Sequence, residues 1–323
     1  MKRPLFSVAA LLLPAFLIGA LCVSSSPPSA LHPFSSAADP IIRPKIYGIA
    51  FVRFKATDFE KSNAFYAKVL GLGHGKGGCK GLRNPCYVIN DYQHVELIQA
   101  KTGDSGTFLD EIGFTVFGVK QMQRYLTSHG VKTSKLSRGR NHRQFFVAED
   151  PEHNRIAFVE GPGIVEPWSE DAVHSNPDQV SSHMIHAGFV VKDLDLMKKF
   201  YVDLLGFRLY WYGGFKDDGI DWYEIQAPDS DNWVEFMLNI APTADHQELG
   251  VQNHFSLGVG NVNATASKLR EHGAAKFDGP EIGRDGKNAI DIYDPDLSRV
   301  EIMDFAPTKT PCCHSYTADH PKP

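Results

Sequence analysis

Apolar residues recur at helical spacing in two stretches of this chain. In DFEKSNAFYAKVLGL (58–72) they are Phe59, Phe65, Tyr66, Val69 and Leu70. DLDLMKKFYVDLLGF (193–207) repeats the same frame at a constant offset of 135 residues. Each stretch predicts an amphipathic helix. Asp58 and Asp193 open the helices as N-caps, and Gly71 and Gly206 end them. An apolar run that reads as a strand precedes each: IAFVRF at 49–54 and AGFVV at 187–191. A weaker repeat lies within each half. IGFTVFGVKQMQRYLTSHGV (112–131) parallels FSLGVGNVNATASKLREHGA (255–274), and each is followed by a strand, an Asp-Pro turn and another strand. Such internal repetition predicts four strand–helix–strand units, at about 46–100, 108–160, 183–240 and 252–306.

The remaining segments divide the chain. Lys2 and Arg3 precede an almost wholly apolar run, Leu5 to Val23, and Ser24 to Ala38 is rich in Ser, Pro and Ala. That pattern fits an export signal followed by a spacer. The run is also long enough to stay as a membrane anchor, and both readings stand. The expected division is a leader at 1–23, a linker at 24–44, a first domain at 45–160, a Gly/Pro-rich linker at 161–182, a second domain at 183–306 and a loose polar tail at 307–323. The expected location is therefore outside the cytoplasm or at a membrane, with membrane contact only if the leader is retained. Export bears on the cysteines. Cys79 and Cys86 either form a small disulfide or remain free thiols, whereas Cys312 and Cys313 are adjacent and poorly placed to pair with each other. The net charge of −5, with no run of Lys and Arg, excludes a nucleic-acid footprint.

Strand parity picks out the candidate chemistry. Side chains alternate between the faces of a strand. In MIHAGFVV, His186 shares a face with Gly188 and Val190, opposite Ala187, Phe189 and Val191. His254 in NHFSLGV, Glu301 in RVEIMDF and Glu235 in NWVEFML likewise lie opposite their apolar neighbours. A polar group in such a strand is costly without a partner. Two imidazoles and a carboxylate form the ligand set of a metal site with open positions.

The pattern H-x-G-F-V-V-x-D-L-x(5)-F-Y-x-D-x-L-G-F, then H-F-x-L-x-V, then Y-D-P-D-x-x-x-V-E-I resembles the vicinal oxygen chelate superfamily. Its members include glyoxalase I, methylmalonyl-CoA epimerase, fosfomycin-resistance proteins and type I extradiol dioxygenases. The resemblance covers about residues 46–306 and is stronger in the second half. It implies an α+β fold of two modules, each made of paired βαβββ units that form a cup-shaped mixed sheet. It also implies one metal site in the second module, with His186, His254 and Glu301 as ligands and Glu235 as a fourth ligand or a general base. The corresponding positions of the first module are Phe51, Glu96, Glu111 and Ala157, and Phe and Ala cannot bind metal. Glu96 at the place of Glu235 leaves open that this carboxylate is an inherited strand residue.

Three functional classes follow from the resemblance. The leading expectation is a ring-cleaving dioxygenase of extradiol type, with Fe2+ beside a catecholate. The second is a glyoxalase-like lyase or isomerase using Ni2+, Co2+, Mn2+ or Zn2+ to stabilise an enolate. The third is an exported protein that binds a small molecule without turnover. A small molecule with vicinal oxygens is the expected partner in each, and a homo-oligomer is compatible with all three. The loop EIGRDGKNAIDIYDP offers Arg284, Asp285 and Tyr293, of which Tyr293 is the catalytic candidate, but it lacks the His that extradiol enzymes usually place there.

Overall fold

The computed structural model describes residues 41–74, 79, 82–139, 143–161 and 176–323. The leader, most of the central linker and parts of the segments HGKGG (74–78) and GRNHRQ (139–144) lie outside the described residues. The first sheet comprises β1 (Ile46–Ala56), β2 (Gly73–His74), β3 (Cys86–Val88), β4 (His94–Gln99), β5 (Leu109–Val116), β6 (Ser137–Arg138), β7 (Gln144–Glu149) and β8 (Arg155–Glu160). The second comprises β9 (His183–Val190), β10 (Arg208–Gly213), β11 (Trp222–Gln226), β12 (Trp233–Met237), β13 (His254–Val259), β14 (Asp278–Ile282), β15 (Asn288–Tyr293) and β16 (Arg299–Asp304). The orders are β2-β3-β4-β1-β5-β8-β7-β6 and β10-β11-β12-β9-β13-β16-β15-β14, so the second sheet repeats the first strand for strand. This is the expected α+β architecture of two modules, each a curled mixed sheet.

The helical repeats form as their capping residues dictate. Asp58 accepts from the amides of Glu60 and Lys61 at the start of α1 (Phe59–Asn63), and Asp193 accepts from the Leu196 amide at the start of α2 (Leu194–Lys198). Both helices then widen into a π-helical turn, Ala64–Val69 and Lys199–Leu204, which the spacing of apolar residues did not show. Gly71 and Gly206 end the runs at φ +68° and +80°, a region only glycine adopts without strain.

One apolar core joins the outer faces of the two modules. Phe54 packs on Phe255 and Phe114 on Phe207, with ring centroids 5.9 and 5.6 Å apart. Polar ties fix the pairing. The Gln93 amide donates to the carbonyls of Ile49 and Met184 while its oxygen accepts from the Met184 amide, linking the two central strands. The Asp-Pro turns interlock reciprocally: Tyr66 donates to Asp294 at 2.9 Å and Tyr201 donates to Asp150 at 3.2 Å.

The segment after 306 departs from the expectation of a loose tail. It folds back on β10: the Thr317 amide donates to the Tyr210 carbonyl at 2.9 Å, and Tyr210 and His320 are hydrogen-bonded at 2.6 Å. Tyr316 and Ala318 pack on a small cluster of Ile185, Tyr210, Trp233, Met303 and Phe305. The polar composition misled because a few aromatic anchors suffice to dock a segment. Cys312 and Cys313 are bonded to each other, correcting the expectation that adjacent cysteines are poorly placed to pair, and Cys79–Cys86 forms the second disulfide. Deleting residues 311–323 should expose that aromatic cluster and cost roughly 2–3 kcal/mol per large side chain uncovered. Thermal melting of the truncated protein checks this, and an unchanged Tm would show that the docked tail contributes nothing.

Candidate functional site

The second sheet presents one polar row across its concave face. Pairing sets Glu224 of β11 opposite Glu235 of β12, Glu235 beside Gly188 of β9, and Gly188 opposite His254 of β13. The adjacent row runs Trp233, His186, Ser256, Glu301 and Asp291. His186 and His254 are therefore neighbours on antiparallel strands, with Nε2 atoms 3.1 Å apart. Glu235 Oε2 lies 3.2 Å from His254 Nε2 and 3.7 Å from His186 Nε2. Glu301 Oε2 lies 3.2 Å from His186 Nε2 and 4.0 Å from His254 Nε2. The structure thus brings together all four residues singled out by strand parity. Gly188 is needed at the centre, because a Cβ there would collide with the His254 imidazole.

Donor atoms of His186, Glu235 and His254 all lie within 4.8 Å of one another, a spacing that fits a divalent cation, and Glu301 adjoins them 3.2 Å from His186. Metal–ligand bonds of about 2.0–2.2 Å place neighbouring ligand atoms roughly 3–3.6 Å apart, close to the separations seen. The histidines present lone pairs. Burial lowers both imidazoles, His186 to about 3, so they are neutral at pH 7. His254 Nδ1 lies 3.1 Å from the Gln252 carbonyl, and Nε2 faces the centre. Burial works to raise Glu235, but the hydrogen bond to His254 and the surrounding positive groups hold it ionised, at about 2.

Several supporting residues have only partial sequence signals. Arg299 is buried, with Nη2 2.9 Å from His254 Nε2 and Nη1 3.4 Å from Asp291. It stands two residues before Glu301, so parity places it on the same face. Glu224 shares a face with Trp222 and is buried, with Oε2 lacking any hydrogen bond. Burial pushes its carboxyl well above the usual range, against the pull of Lys287. Lys287 is wholly buried with Nζ 4.0 Å from the Trp233 ring centroid, and Trp233 in turn packs on His186. No periodicity marks a loop lysine for such a place. A cavity of about 340 Å³ opens above the four donors, walled by Trp211, Phe215, Trp222 and Met303 among others.

A family model described as Glyoxalase/Bleomycin resistance protein/Dioxygenase superfamily matches residues 183–302, a span that contains all four converging residues. Residues 183–302 therefore form a domain of this superfamily. Comparison with curated proteins gives no match. Solved vicinal oxygen chelate structures share the fold over most of the chain. A variant of homoprotocatechuate 2,3-dioxygenase from B. fuscum is 20% identical over 86% of this chain and 74% of its own, with a TM-score of 0.60. The enzyme of that name from Arthrobacter globiformis is 18% identical, over 86% and 83%, with a TM-score of 0.61. The 2,3-dioxygenase LapB from Pseudomonas sp. KL28 is 17% identical, over 87% and 96%, with a TM-score of 0.59.

The first module repeats the second module's strand order but fills its centre with a guanidinium. Strand registers place Phe51, Glu96, Glu111 and Ala157 where the second module has His186, Glu235, His254 and Glu301, as the sequence alignment expects. Gly188 is matched by Arg53. Its guanidinium donates to Glu96 at 2.7 and 2.8 Å and to Glu111 at 2.6 Å. Arg155 pairs with the other Glu111 oxygen at 2.7 Å, and His94 Nε2 lies 3.0 Å from Glu96. A fixed internal cation thus stands where the second module gathers donors. The signal was present in the sequence, since Arg53 lies 135 residues before Gly188.

Tyr293 does not join the site. It lines a separate groove with Phe65, Lys68 and His272, two residues along β15 from Asp291, where the strand has left the cavity. Among the aromatic side chains of β11 and β12, Trp222 faces the cavity, Trp233 lies buried against His186, and Tyr223 packs on the main core.

Proposed function

We propose that this protein is a metal-dependent enzyme that binds a small molecule through vicinal oxygens and moves a proton on it, in the manner of a glyoxalase-like lyase or isomerase. The observation that carries this is the position of Glu235, within 3.2 Å of one histidine and 3.7 Å of the other. Two imidazoles and two carboxylates would hold one divalent ion and leave positions for two substrate oxygens. A bound ion would supply Lewis-acid polarisation of those oxygens. Glu235, held ionised, would take the proton from the neighbouring carbon, and Arg299 would keep the His254 ring oriented while adding positive charge beside the site. Trp222, Phe215 and Trp211 would limit water at the mouth.

A second reading, ring-cleaving oxygenase chemistry, is favoured by the arrangement of a donor-poor first module before a donor-rich second one. The structurally similar dioxygenases also join two modules in one chain, and one B. fuscum structure is described as a complex with 3,4-dihydroxyphenylacetate. Against it, the facial two-His, one-carboxylate site of such chemistry needs three ligands, and here a fourth donor is in reach.

Glu235→Gln separates the two. The variant is expected to bind Ni2+, Co2+ or Zn2+ at least about tenfold more weakly and to lose proton exchange at the acidic carbon of a hemithioacetal. Metal titration, with oxygen uptake on a panel of catechols, provides the measurement. Iron-dependent oxygen uptake that survives in the variant would overturn the lyase reading in favour of the oxygenase.

A further inference from the structure

The cavity's charges are unevenly committed. Its cations are largely engaged by the protein, although Arg299 Nε and Lys287 Nζ are buried without a hydrogen-bond partner. Arg299 is held by His254 and Asp291, and lies 3.8 Å from Glu301. Arg284 donates to the Gly214 carbonyl and to Asp217. Lys287 lies behind the wall, over the Trp233, Tyr210 and Tyr316 rings. The acceptors are more numerous. Besides Glu235 and Glu301, the lining includes Asp285, Asp291 and Glu224, with Asp278 and Glu281 exposed at the rim. Seven carboxylates therefore face two guanidiniums.

Glu224 is the sharpest of these features. It is 3% exposed, lines the cavity, and its Oε2 has no hydrogen-bond partner. An unmade hydrogen bond on a buried carboxyl is costly. Trp222 shares its strand face, and Phe215 packs on Trp222 with ring centroids 4.7 Å apart while remaining 76% exposed. Carboxylates with aromatic faces beside them form the environment that attracts an organic ammonium.

We propose that the substrate is a cationic small molecule: its vicinal oxygens face the four-donor centre and a protonated amine lies along the Glu224–Trp222 wall. This rests on the metal-site reading for the oxygens only; the charge preference belongs to the wall itself. An ammonium there lies among carboxylates beside an aromatic face, whereas a substrate carboxylate meets several like charges.

The test uses three catechols of similar size on metal-loaded protein, followed by tryptophan fluorescence: dopamine, 4-ethylcatechol and 3,4-dihydroxyphenylacetate. Dopamine is expected to bind most tightly and the acid at least tenfold more weakly. Raising the salt should compress that ratio through screening. Glu224→Gln should compress it at least threefold, and Glu281→Gln, at the exposed rim, by a smaller factor. Equal or tighter binding of the acid, a ratio unmoved by Glu224→Gln, or no binding of dopamine at millimolar concentration would each overturn the proposal. Metal content is measured on the same samples. If the protein holds no ion, the metal reading fails instead, and phenethylamine against phenylacetate tests the wall without it. Tighter phenylacetate binding there overturns the proposal as well.

Discussion

His254→Ala is expected to remove nearly all bound metal. Protein covering residues 41–323 should hold about one divalent ion per chain, since the first module fills its equivalent centre with Arg53, and the variant should fall below about a tenth of that. His254 lies at the focus of the site: its Nε2 is 3.1 Å from His186 Nε2 and 3.2 Å from Glu235 Oε2, and its Nδ1 is 3.1 Å from the Gln252 carbonyl. Losing an outer-shell partner alone costs roughly 10–100-fold in metal affinity, so losing a ligand should cost more. Elemental analysis of the purified variant is the measurement. Near-stoichiometric metal would overturn the assignment of the centre, and two ions per chain in the parent protein would overturn the reading of the first module. The fold should survive, because the imidazole stands on the concave face, away from the core that joins the modules.

Arg53→Met should produce the largest stability loss outside the helix–sheet core. The guanidinium sits between Glu96 and Glu111, whose side chains are 10% and 1% exposed. Removing one partner of a buried ion pair leaves an uncompensated charge and costs about 3–5 kcal/mol. Arg155 still neutralises part of Glu111, which places the expectation toward the lower end, with a Tm lower by roughly 5–10 °C. Adding Glu96→Gln to Arg53→Met should recover part of that loss, since the two residues are in contact and their effects do not add. A melting temperature unchanged by Arg53→Met would show that the guanidinium is a solvated surface charge. Gain of metal binding by the first module in the variant would be a separate surprise, because Phe51 and Ala157 offer no donors.

Much of this architecture was legible without coordinates. The fixed offset between FYAKVLGL and FYVDLLGF revealed two modules, because a helix that must bury one face repeats its apolar spacing wherever the fold is repeated. Alternation within MIHAGFVV, NHFSLGV, NWVEFML and RVEIMDF put His186, His254, Glu235 and Glu301 on the polar faces of their strands, because successive side chains of a strand point to opposite sides. Parity also covered Arg299 and Glu224, although nothing in the spacing said what they would do.

Other features depended on which strands became neighbours. Parity says which face a side chain takes, but not its distance from a residue 68 positions away. Only the antiparallel pairing of β9 with β13 set the two histidines 3.1 Å apart. The same pairing in the first module turned Arg53 from an ordinary strand arginine into an internal counter-ion. Tyr293 looked suited to the site until the sheet's curvature carried the end of β15 into another groove. The tail reads as polar and loose because composition averages over residues, while docking depends on where Tyr316 and His320 meet Tyr210. The sequence by itself determined the repeated units and the face each polar residue occupies, since both are local consequences of backbone geometry. The tertiary structure alone decided which of those residues share a charge, a cavity or a hydrogen bond, because those depend on distances across strands far apart in the chain.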